Sequence, residues 1–100
     1  MTQWLYVLKP TRLGMLTEGP TEYESETVSR HFAHLQALTE KGVMILVGRT
    51  QNADESTMGL AIFEAEDEAT ARQIMESDPA IVGGVMTATL YPYKVALLRK

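Results

Sequence analysis

Residues 21–48 read TEYESETVSRHFAHLQALTEKGVMILVG, and the fold turns on how this stretch is parsed. Residues 21–41 carry a helical pattern. Glu22, Glu24 and Glu26 sit in the early turns, where the positive end of the helix dipole favours acids. Thr21 stands where an N-cap is needed. Lys41-Gly42 closes the segment with a cation and then a residue that accepts left-handed backbone. Residues 43–48 follow as an unbroken apolar run of strand length. The chain therefore passes from a long helix almost directly into a strand.

Working outward, residues 9–20 hold two Pro and two Gly and read as the longest loop. Before them, residues 4–8 (WLYVL) form a strand rich in β-favouring types that closes at Lys9-Pro10. On the other side, residues 51–56 are polar and turn-rich, and residues 58–64 make a hairpin with the strand before them. Asp67 caps a short helix over residues 69–77. Asp78-Pro79 stops that helix, because a residue preceding proline is pushed out of the helical region. Residues 81–84 form a short linker with at most a single turn. Residues 85–98 are the last strand, bent or interrupted near Pro92. The order β-α-β-β-α-β predicts a ferredoxin-like α+β sandwich, with one antiparallel sheet and two helices on one face.

One hundred residues, 45% apolar, suffice for one domain over residues 1–100 and little more. So small a core favours pairing with a second copy. The net charge is −4, and the nine Lys and Arg are scattered, with only a loose pair at Arg99 and Lys100. No basic stripe is present to neutralise phosphates, so nucleic acid is not an expected partner. The absence of cysteine removes disulfides, thiolate zinc sites and a cysteine nucleophile. It also fits a cytoplasmic location. No basic start followed by a long apolar run marks a signal peptide, and the longest apolar run is too short for a bilayer.

Chemistry concentrates on the long helix. At 100° per residue, Val28, Phe32, Leu35 and Leu38 share an arc of roughly 120° that must face the sheet. His31 lies inside that arc and His34 on its shoulder. An inward imidazole needs a polar partner, since burying it alone is costly. Asp78 is the best candidate. Ala71, Ile74 and Met75 mark the inward face of the second helix, and one more turn brings that face to position 78. A carboxylate there fixes the imidazole tautomer and makes the pair a general acid/base. The same residues also suit a plain core histidine and a plain helix stop. Tyr6, Arg12 and Arg49 are further candidates for binding an anionic substrate. Two histidines three apart can in principle ligate a metal, but their differing faces argue against it. Gly83-Gly84 lacks the strand-to-helix setting of a phosphate loop.

At these residues the sequence resembles the YciI-like (YCII-related) family. The resemblance rests on His31-Phe32-Ala33-His34-Leu35-Gln36-Ala37-Leu38, on Glu40-Lys41-Gly42, and on Asp78-Pro79-Ala80-Ile81-Val82-Gly83-Gly84-Val85. It implies a dimeric α+β barrel with a site centred on a His and an Asp, which by position are His31 and Asp78. It also implies kinship with lyase-like members that act on chlorinated aromatic breakdown products. The sequence departs from the family where Gly48-Arg49 replaces Gly-Pro, in the long loop before the first helix, and in the hairpin loop. Those changes reshape the pocket mouth.

Two functions follow. One is a cofactor-free lyase or isomerase acting on a small organic substrate, with His31 as acid/base and Asp78 orienting it. The other is a module of the same fold that binds a small molecule or a partner without catalysis. A homodimer or higher homo-oligomer is expected under either, or under a third reading in which both residues only stabilise the fold.

Overall fold

Strict alternation shapes the first strand. The computed structural model describes residues 2–99, so Lys100 of the basic pair lies outside the described residues. In β1 (Thr2–Pro10), Trp4, Tyr6 and Leu8 are buried while Leu5 and Val7 point to the opposite face, as a period of two requires. β1 lies at the centre of a four-stranded antiparallel sheet in the order β2-β3-β1-β4. The other strands are β2 (Met44–Arg49), β3 (Gly59–Ala65) and β4 (Met86–Tyr93). Phe63 and Ala61 of β3 stand opposite Trp4 and Tyr6 and complete the buried face.

Helices cover that face. α2 (Glu22–Glu40) starts at a full capping box: the Thr21 hydroxyl accepts from the Glu24 N–H, and the Glu24 carboxylate accepts from the Thr21 N–H. It stops at Gly42, which takes φ +82°, a conformation that a side chain would strain. Leu35 joins the same buried core as Ala71 and Met75 of α3 (Glu68–Glu76), which Asp67 caps through the Thr70 N–H. Burial of these side chains against the sheet is the main force holding the layers together. The ferredoxin-like expectation holds.

Local differences have physical reasons. The loop over residues 9–20 yields its first two residues to β1 and contains a one-turn helix, α1 (Gly14–Thr17). The linker after α3 is a second short helix, α4 (Pro79–Val82), with proline at its first position where no N–H is needed. The last strand ends at Tyr93, which pairs with Gln3; beyond it the Val95 N–H donates to the side-chain oxygen of Gln3 rather than to strand backbone. Pro92 is tolerated because β4 is an edge strand. Phe32, expected inward, is 66% exposed. Periodicity sets its direction, but neither helix nor sheet covers it.

Candidate active site

Three elements converge on one buried carboxylate. α2 supplies His31, one turn before the buried Leu35. The junction of α3 and α4 supplies Asp78, held in extended backbone as the N-cap of α4. The central strand supplies Tyr6, whose ring packs edge-on against Phe63 with centroids 5.7 Å apart. Nδ1 of His31 lies 2.6 Å from Oδ1 of Asp78. That same oxygen accepts the Ala80 N–H at 2.9 Å. The Tyr6 hydroxyl donates to Oδ2 at 2.8 Å.

Asp78 is 0% exposed and the side chain of His31 12%. Burial by itself pushes the Asp78 carboxyl up. The hydrogen bond from His31, the Ala80 N–H, the neighbouring imidazole charge and the Tyr6 hydroxyl outweigh it, so the acid sits below its ordinary range. Tyr6 moves the other way: burial, then the charge and hydrogen bond of Asp78, hold its phenol well above the ordinary value. The carboxylate is therefore ionised and acceptor-only, and the phenol is a donor. An ionised carboxylate takes a proton-bearing nitrogen, so Nδ1 carries hydrogen and Nε2 is the basic nitrogen of the neutral ring.

His31 borders a cavity of about 270 Å³ between α2 and one end of the sheet. Leu8, Val28, Leu35 and Met58 make its walls apolar, and Met15 and Leu16 of α1 close one side. Phe32 stands at its rim, which accounts for its exposure. With Nδ1 bound to Asp78, Nε2 is the nitrogen left to meet a bound molecule.

The five residues singled out from sequence fall into three settings. His31 and Asp78 touch. Arg49 also lines the cavity, from the end of β2. Tyr6 and Arg12 do not line it. Tyr6 is sealed beneath Asp78. Arg12 makes a bidentate pair with Glu24, Nε to Oε2 at 2.9 Å and Nη2 to Oε1 at 2.6 Å, and Nη2 also reaches the Gly19 carbonyl at 3.1 Å. It thereby ties the segment carrying Met15 and Leu16 to the start of α2. His34 faces elsewhere, and its Nε2 is buried without a hydrogen-bond partner. Among the described residues no three His, Asp or Glu converge as metal ligands would.

Sequence reasoning did not find Met15 and Leu16 as cavity walls, since a single helical turn is too short to show periodicity. Nor did it find Tyr6 as the support of Asp78. A readable signal did exist for the capping role of Asp78: Asp, then Pro, is an N-cap followed by a helix-starting residue.

No curated protein sequence matches the chain. Among solved structures, it resembles the 5-chloro-2-hydroxyhydroquinone dehydrochlorinase of Burkholderia phenoliruptrix AC1100, solved in complex with 2,5-dihydroxybenzoquinone. The two align over 91% of this chain and 93% of the other, with TM-score 0.63 and 20% identity. At that identity the likeness is one of fold. The YCII-related domain matches residues 6–93, from the strand bearing Tyr6 to the end of β4, and the chain belongs to that family.

Proposed function

We propose that the chain is a small enzyme of the lyase or isomerase type, in which His31 moves a proton on a small organic substrate and no cofactor takes part. One observation carries the reading: a carboxylate with no exposure holds the inner nitrogen of an imidazole whose ring borders an apolar cavity. Nε2 takes a proton from carbon next to a carbonyl, or from a hydroxyl. Asp78 stabilises the imidazolium that forms. Return of the proton to a different atom completes an isomerisation. Departure of a leaving group from the neighbouring carbon completes an elimination. The dehydrochlorinase of like fold supports the second course.

The test is solvent-deuterium exchange and chloride release, with 5-chloro-2-hydroxyhydroquinone and a panel of small carbonyl acids as probes. Wild type should exchange or release chloride, and His31→Gln should lose about 10²-fold or more. Equal rates in the two proteins, or binding without turnover across the panel, would leave a ligand-binding module.

Two copies are proposed to pair through the helix-free face of the sheet. At its centre stand Leu5 and Val7, opposite Ile62 and Leu60, with Leu46 and Tyr91 exposed beside them. Contiguous apolar surface of this kind is rarely left in water. Sedimentation should give a dimer for wild type and a monomer for Leu60→Glu; a monomeric wild type removes the proposal.

A further inference from the structure

We infer that the ligand of this cavity is a small carboxylate with an apolar body of about one ring, its charge held by Arg49. The inference rests on the cavity being the site proposed above, and adds the chemical class of what enters it.

Charge comes first. The chain has thirteen Asp and Glu, yet none of them lines the cavity. The two lining residues able to carry positive charge are His31 and Arg49. Arg12 and Arg72 are each spent on a carboxylate, whereas Arg49 enters none of the ion pairs among the described residues. A guanidinium with no partner among the described residues, at the edge of an apolar cavity, selects for an anion, and its planar fork matches a carboxylate with two parallel hydrogen bonds.

Arg49 ends β2 directly opposite Gly59 of β3, and both line the cavity together with Leu8.

Size and polarity narrow the class. A cavity of about 270 Å³, at the low end for small-molecule pockets, suits a ligand of about one ring. Sugars and polyols fit, but their hydroxyls would face Leu8, Val28, Leu35 and Met58 without partners. A doubly charged phosphate monoester asks for more donors than one guanidinium offers. A monoanionic carboxylate on an apolar ring meets each constraint.

The experiment compares benzoate with its neutral isostere benzamide, by NMR titration of wild type, Arg49→Gln and His31→Gln. Arg49 is exposed and outside every ion pair among the described residues, so its variant should keep the fold. Wild type should bind benzoate at least tenfold more tightly than benzamide, a difference of about 1.4 kcal/mol. Arg49→Gln should lose that preference while holding benzamide unchanged. His31→Gln should keep it. Equal binding of the two probes by wild type, a preference that survives in Arg49→Gln, or no binding of either at millimolar concentration overturns the inference. Failure here with proton exchange intact leaves the acid/base reading standing. The preference without exchange in any wild-type assay does the reverse.

Discussion

Two carboxylates in this protein do the same local job and differ in what else they can do. Glu24 closes the capping box of α2 and pairs with Arg12. Asp78 caps α4 and pairs with His31. Each lies below its ordinary range: Glu24 at about 2, chiefly through the Arg12 hydrogen bond, and Asp78 through bonds that outweigh its burial. The difference lies in the partner. A guanidinium never releases its proton at physiological pH, so the Glu24 pair is a clasp. An imidazole does release its proton there, and this one borders a cavity, so the Asp78 pair can work as a chemical device. Neither depth of burial nor a shifted acid distinguishes a functional carboxylate; the lability of its partner does.

The comparison breaks most sharply at Asp78. Asp78→Ala strands the imidazole N–H, the Tyr6 hydroxyl and the Ala80 N–H, which all now bond to a carboxylate with no exposure. Denaturant unfolding should show a loss of about 3 kcal/mol, and proton exchange on any substrate should vanish. Tyr6→Phe removes one of those donors and should cost about 1–2 kcal/mol, with the Asp78 carboxyl titrating higher by NMR.

Acid sharpens the contrast further. A carboxyl depressed on folding contributes stability above its unfolded value and loses it as pH falls through the folded one. For Glu24 that window runs from 4.5 down to about 2; for Asp78 it lies below 3.8. Glu24→Gln should therefore be less stable than wild type at pH 6, and the gap should close between pH 4.5 and 2 in urea titrations. Its loss at pH 6 should be smaller than that of Asp78→Ala, because the Arg12 side chain is 41% exposed and water screens the pair. The smallest effect on chemistry belongs to His34→Gln, which should leave proton exchange unchanged, since His34 lies outside the cavity lining.

Much of the architecture was legible because it rests on local rules. A run of β-favouring types closing at Lys9-Pro10 marked β1, the Thr21 and Asp67 caps marked the helix starts, and Lys41-Gly42 marked the end of α2. The inward direction of His31 and of position 78 was readable from helical angles, but their separation depends on how two helices pack on the sheet, which no angle reports. Tyr6 was readable as a strand residue and not as the neighbour of a residue 72 positions away. Phe32 shows the limit most clearly. Its angle on α2 is the apolar one, yet an apolar angle guarantees a covering neighbour only where the other layer extends that far. Here the layer stops at the cavity mouth.

The double engagement of Asp78 Oδ1, on the ring and on the first turn of α4, bears on how descendants of this protein should be read. A lineage without the proposed reaction would still keep the aspartate, because the fold itself leans on it. The histidine would be under no such obligation and could drift. Of the two, it is the imidazole whose retention would go with the proposed chemistry, and an aspartate found alone would signal only shared ancestry.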